Sequence, residues 1–148
     1  MAYARIVRDG FTLPEILLVL AILGLSFGIA FPRVAALRDG LAVEQETNQI
    51  LAAHRRSRML SITRGRAVVL SIGADSLSIR VEGEIANEWS APGPRATGVT
   101  LEGPTRRMTF SPLGYTTGLS NATLRLSRGA SHRTVVVSRL GRVRVTRP

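Results

Sequence analysis

The chain has no cysteine, no lysine, few aromatic residues and no acidic residue after Glu102. Without cysteine there is neither a disulfide nor a thiolate metal site. All 20 basic residues are arginine, so a phosphate-cradling loop with its obligatory lysine and Schiff-base chemistry are both excluded. His54 and His132 are the two histidines, and no metal-ligand spacing links them. Both read as surface residues, one on a basic helix end and one in a loop. No Gly-x-Ser-x-Gly elbow occurs, and the last third has no carboxylate to orient a histidine toward a serine. These absences argue against an enzyme, imply no cofactor and no metal, and leave binding or assembly as the mode of action.

What the chain does have is an apolar run near its N-terminus. From Phe11 to Phe31 there are 21 residues and one charge, Glu15. As a helix such a run spans about 31 Å, the thickness of a bilayer's hydrocarbon core. A carboxylate in that position is costly and implies a partner. A short leader, residues 1–10, precedes it with Arg5, Arg8 and Asp9. A secretory signal peptide cut near Gly28-Ile29-Ala30 would carry a shorter apolar region and leave Glu15 without a purpose. A plain transmembrane anchor would equally leave Glu15 unexplained.

The sequence Gly10-Phe11-Thr12-Leu13-Pro14-Glu15 resembles the leader junction of type IV prepilins and type II secretion pseudopilins. The resemblance implies that a prepilin peptidase cuts between Gly10 and Phe11 and N-methylates Phe11. It also implies that Glu15 pairs with the Phe11 ammonium of a neighbouring subunit during assembly. Arg5 and Arg8 precede the span and Arg33 and Arg38 follow it. Flanking charge is therefore balanced, and the orientation with a cytoplasmic N-terminus, an inner-membrane span and an extracytoplasmic domain comes from the resemblance. Pro14 departs from the usual Leu or Ile, but in the first turn of a helix its missing N–H would have had no partner.

At 148 residues, the chain has room for one domain besides the anchor. The expected organisation is a leader (1–10), a transmembrane and assembly helix (11–32) and a pilin-like globular domain (33–148). The fold class is α+β, with a long N-terminal helix, transmembrane then amphipathic, packed on a small antiparallel β domain. The helix is expected to continue to about residue 63. Val34, Leu37 and Leu41 start its inner stripe, Ile50 and Leu51 extend it, and Asp39, Glu44, Gln45, Glu46 and Asn48 form its polar face. Gly65 ends it. Strands are predicted over 67–72, 76–81, 99–101, 108–110, 122–126, 134–138 and 142–146, with 91–95 as a loop and a turn at Gly118 and Asn121. The alternation places Val68, Leu70, Leu77, Ile79, Phe110 and Leu124 in the core, with Leu126, Val135 and Val137 beside them. The helix end Leu51-Ala52-Ala53-His54-Arg55-Arg56, the segment Phe110-Ser111-Pro112-Leu113-Gly114 and the closing Val-rich strand before Gly141-Arg142 resemble the GspH/FimT group. That group comprises minor pseudopilins of type II secretion and minor pilins of type IV pili.

Charge is unevenly spread. Up to Glu102 there are 11 Arg and 10 acids; after it there are nine Arg and none. In Gly141-Arg142-Val143-Arg144-Val145 the alternation predicts Arg142 and Arg144 on one face and the valines in the core. Arg139 and Arg147 extend the patch, and the segment resembles the Gly-Arg-x-Arg element of DNA-binding FimT-type minor pilins. Two readings follow. In one, the protein is a minor subunit near the tip of a type II secretion or type IV pilus filament, acting in protein secretion, with prepilin peptidase, other pilin or pseudopilin subunits and the inner membrane as partners. In the other, the arginines hold double-stranded DNA for uptake in natural transformation, through backbone contacts. The same arginines meeting a neighbour's acidic surface is the plain alternative.

Overall fold

A computed structural model describes residues 10–117, 122–138 and 141–146, apart from the side chains of Ile29 and Pro32. Arg139, Arg147, the turn at Gly118 and Asn121 and the leader arginines lie outside the described residues. The chain divides into two units, Met1–Ala35 and Ala36–Pro148.

One helix, α1 (Leu13–Arg64), runs through the boundary. Its start is a capping arrangement. The Thr12 carbonyl accepts hydrogen bonds from the N–H groups of Glu15 and Ile16 at 3.1 and 3.2 Å. The Glu15 carboxylate reaches back to accept the Thr12 N–H at 3.4 Å. Thr-x-x-Glu is the spacing of a capping box. Pro14 is the second helical residue, where an N–H has no intrahelical acceptor. At the other end Gly65 adopts φ +59°, which a side chain would disfavour, and donates to the Ile62 carbonyl at 3.3 Å.

In the first unit the apolar side chains from Phe11 to Phe31 are exposed throughout the described positions. The most apolar 18-residue window of α1 has a mean hydropathy of 2.2, and none of it is buried. The helix is long and apolar enough to cross a membrane.

The second unit carries, among the described residues, β1 (Val68–Ile72), β2 (Ser76–Val81), β3 (Trp89–Pro92), β4 (Thr100–Leu101), β5 (Arg106–Phe110), β6 (Thr116–Thr117), β7 (Ala122–Arg128), β8 (Ser131–Val137) and β9 (Val143–Thr146). They form two antiparallel sheets, in the orders β3-β2-β1-β5-β6 and β4-β7-β8-β9. Register follows the hydrophobic alternation. Leu70 sits between Ile79 on β2 and Met108 on β5, and Leu124 faces Val135 across β7 and β8. Val68, Leu70, Leu77, Ile79, Phe110, Leu124, Leu126, Val135 and Val137 are buried as expected, joined by Ile72, Val81, Met108 and Ala122.

The structure corrects several expectations. The segment expected as a loop at 91–95 contains the end of β3 and a 3-10 turn at Pro94–Thr97. Pro92 is tolerated because β3 is an edge strand. His132 lies on β8, not in a loop, though it is exposed as expected. The inner stripe of α1 is the largest correction. Val34, Leu37 and Leu41 are exposed, while Val43, Glu46, Thr47, Ile50, Ala53, His54, Ser57 and Ser61 are buried. Glu46 was expected on the polar face; it is 2% exposed, and its Oε1 accepts the Thr97 hydroxyl at 2.9 Å. The buried face is legible as helical spacing but not as hydrophobicity. Thr47, Ser57 and Ser61 bond their hydroxyls to the carbonyls of Val43, Ala53 and Arg58 on the same helix. That satisfies them without an outside partner, so small polar side chains can sit against the sheets.

Candidate functional site

The processing and assembly residues sit at the start of the chain described. Gly10 and Phe11 are exposed ahead of α1, and Glu15 is exposed in its first turn.

The C-terminal arginines fall into two sets. Arg125 pairs with Glu102 at 3.7 Å, Arg128 with Asp39 at 2.8 Å and Arg133 with Glu44 at 3.4 Å. Arg128 also donates to the Thr97 carbonyl. Two of these partners, Asp39 and Glu44, are on α1, so Arg128 and Arg133 fasten the β4-β7-β8-β9 sheet to the helix. Arg106, Arg107, Arg142 and Arg144 make no ion pair among the described residues and are exposed.

A tight connection positions Arg142. The Ser138 N–H donates to the Arg142 carbonyl at 2.8 Å, and the Arg142 N–H donates to the Ser138 hydroxyl at 3.2 Å. Gly141 closes this turn at φ +73°, a conformation that favours glycine, with its N–H on the Ser138 carbonyl. Past the turn, Val143, Arg144 and Val145 stand opposite Val137, Val136 and Val135. Arg144 therefore shares the outward face with the exposed Val136.

Arg142 and Arg144 do not share one surroundings, as the alternation had implied. Arg142 lines a cleft of about 390 Å³ between β9 and α1, and Arg144 does not. Leu51, His54, Arg55 and Arg58 form the helix wall of the cleft, at the three- and four-residue spacing that puts them on one stripe. The facing wall is Gly141, Arg142 and the valines of β9. Val145, expected in the core, is 39% exposed. It faces the same side as the buried Val135, but β9 is an edge strand and the cleft leaves it open.

His54 is the residue whose reading changes most. Far from being a surface histidine it is 4% exposed, with its ring edge-on to Phe110 at 5.0 Å. Its Nε2 is buried and makes no hydrogen bond among the described residues. Burial, then the charges of Arg58 and Arg55, hold its pKa below the ordinary imidazole value. Two residues on, Arg56 turns the other way and stacks over Trp89 at 5.7 Å. The sequence offered one hint of His54's burial, its spacing from Ile50, Ala53 and Ser57 on the helix.

Comparison with known proteins agrees with this architecture. A family model, "Type II transport protein GspH", matches residues 46–141. The chain is 32% identical over 157 aligned positions to the pilin-like protein PilA1 of Thermus thermophilus, covering 93% of this chain and 98% of that protein. The fold is similar to that of the type IV minor pilin FimU of Pseudomonas aeruginosa, with a TM-score of 0.58 at 18% identity over 70% of this chain and 87% of FimU. A second crystal form of FimU gives 0.56 at 16% identity, over 70% and 91%. The long helix, the antiparallel β domain and the family match together make this chain a type IV pilin-like protein of the GspH family.

Proposed function

We propose that the protein is a minor subunit of a type II secretion or type IV pilus filament, placed near its tip, and that it works by assembly in protein secretion. Before assembly the first helix holds it in the inner membrane with the N-terminus cytoplasmic. Prepilin peptidase removes residues 1–10 and methylates Phe11, and Glu15 is neutralised by the Phe11 ammonium of a neighbouring subunit. The observation that carries this reading is the first unit of α1, which exposes every described apolar side chain and one carboxylate. Such a surface needs lipid or other apolar helices to cover it, and a carboxylate there needs a cation. Intact-mass measurement on membrane-derived protein tests the processing step. Loss of residues 1–10 with one added methyl is the expected result; a mature chain still carrying Arg5 and Arg8, or cut after Ala30, overturns it.

A second reading, a DNA-binding minor pilin for uptake, is favoured by a separate observation: Arg142 and Arg144 are exposed and without acidic partners while Arg125, Arg128 and Arg133 are paired. Guanidinium groups suit phosphates, and backbone contacts carry no sequence preference. The full chain in a maltoside detergent should bind unrelated duplexes with equal affinity. The log–log salt slope should be about −0.9 per phosphate contacted. Arg142→Ala with Arg144→Ala should flatten that slope by about 2. The control for net charge is Arg106→Ala with Arg107→Ala on β5, since Arg55 lines the same cleft as Arg142. Equal loss in both double variants, or no binding by the unaltered chain at about 50 mM salt, rejects DNA as a specific partner.

A further inference from the structure

We infer that the cleft between α1 and β9 is a seat for a phosphate group, gripped by Arg55, Arg58 and Arg142, with His54 as a buried side chain that takes up a proton when the group binds. Arg55 and Arg58 stand on one wall and Arg142 on the other, so three arginines line one space. None of the three makes an ion pair among the described residues, and no acid lines the cleft. Elsewhere in the domain Arg64, Arg66, Arg95, Arg125, Arg128 and Arg133 have carboxylate partners, and Arg106, Arg107 and Arg144, which have none among the described residues, lie outside the cleft. Unpaired like charges gathered at one cleft repel, and an anion between them removes that cost.

The chemistry narrows the anion. A carboxylate is planar, carries one charge and is satisfied by a single guanidinium fork. A phosphate offers more oxygens in a tetrahedral array, which suits donors arriving from two walls. The cleft, at about 390 Å³, is far larger than one phosphate, leaving room for water or for the group that carries it. Two local features fix the arginines. The turn at Ser138 and Gly141 sets Arg142, as described above. Gly114, at φ +79°, leaves space for Arg58: a Cβ there would lie 3.3 Å from Arg58 Nε and 2.7 Å from Ile62 Cδ1.

His54 gives the seat its pH response. The charged groups facing it are Arg55 and Arg58 on its own helix and Arg142 across the cleft; the element behind it contributes the uncharged Phe110. Burial and the charges of Arg58 and Arg55 oppose protonation of the imidazole, and its buried Nε2 has no partner among the described residues. A bound phosphate reverses the local field. Protonation becomes less unfavourable, and by linkage the affinity for a phosphodiester, whose single charge does not titrate in this range, rises as pH falls.

The phosphate group could be free or part of a nucleic-acid backbone. In the second form the inference rests on the DNA reading above, and the experiment separates the two. The full chain in a maltoside detergent, with ¹³C-labelled histidine, is titrated by NMR in inorganic phosphate and in chloride of equal ionic strength. Phosphate should raise the His54 midpoint by about one pH unit. Arg55→Ala with Arg58→Ala should raise the His54 midpoint in chloride and abolish its response to phosphate. An unaltered His54 midpoint, or an equal response in chloride, overturns the seat. In parallel, a 30-base-pair duplex is bound at pH 7.5 and 5.5. Tighter binding at pH 5.5, with roughly tenfold loss in Arg55→Ala/Arg58→Ala beyond that of Arg106→Ala/Arg107→Ala, identifies phosphodiester as the ligand. Duplex binding that ignores Arg55 and Arg58 rejects phosphodiester in the seat while leaving DNA on Arg142 and Arg144. Absence of duplex binding rejects the DNA reading, and the NMR arm alone then decides the seat.

Discussion

The two ends of α1 obey opposite rules. From Leu13 to Ala35 the helix is almost wholly apolar, and its described side chains are exposed. From Val43 to Ser61 it is mixed, yet it buries Glu46, Thr47, His54, Ser57 and Ser61. In the first unit hydrophobicity marks what a lipid bilayer or another helix must cover. In the second, burial is decided by which side chains face the sheets, and hydroxyls that bond to their own helix are compatible with that. One helix thus shows that hydropathy predicts burial only when the covering surface is known.

Substitutions can break this contrast directly. Phe110→Ala removes a fully buried ring and the partner of His54, and should cost about 3–5 kcal/mol, enough to threaten folding. Phe27→Ala, on the exposed stretch, should leave the β domain's unfolding midpoint unchanged. The single tryptophan, Trp89, half-buried against the core, reports both by fluorescence of the detergent-solubilised chain. Equal losses would mean that the first stretch stabilises the domain.

Glu15→Ala should leave that midpoint and membrane insertion unchanged but reduce incorporation into filaments by more than about tenfold, the order expected when one member of a buried ion pair is lost. Quantifying the subunit in sheared filaments checks it, and wild-type incorporation would refute Glu15 as an assembly contact.

The buried helix face also responds to pH, through His54. Its folded pKa is lowered, so as pH falls below the ordinary imidazole value the unfolded chain takes the proton first. Its contribution is therefore fully present above that value and is lost on acidification until the folded pKa is passed. The slope it adds is at most about 1.4 kcal/mol per pH unit. His54→Gln should remove that part of the pH dependence, measured by denaturant unfolding between pH 7.5 and 5.5; identical slopes would show that the imidazole titrates as if exposed.

The smallest effect belongs to the paired arginines. Arg125→Ala breaks an ion pair whose members are both more than half exposed, and should change stability by less than about 1 kcal/mol. A larger loss would mean that this edge of the sheet depends on charge in the way the buried helix face depends on packing.

The elements legible in the amino-acid order are those whose causes are local. The run from Phe11, the glycine stop at Gly65 and the alternation in β1, β2, β7 and β8 each depend on neighbours a few residues away. The strands β3 and β6 were not legible in the sequence; they are held by pairing to β2 and β5. The tertiary structure alone decided which face of α1 is inside, since that depends on the sheets it meets. It alone separated the arginines into those spent on Glu102, Asp39 and Glu44 and those left unpaired. It also brought Arg55 and Arg58 beside Arg142, more than eighty residues later in the chain. Charge acts through space, and only the folded path of the chain sets those distances.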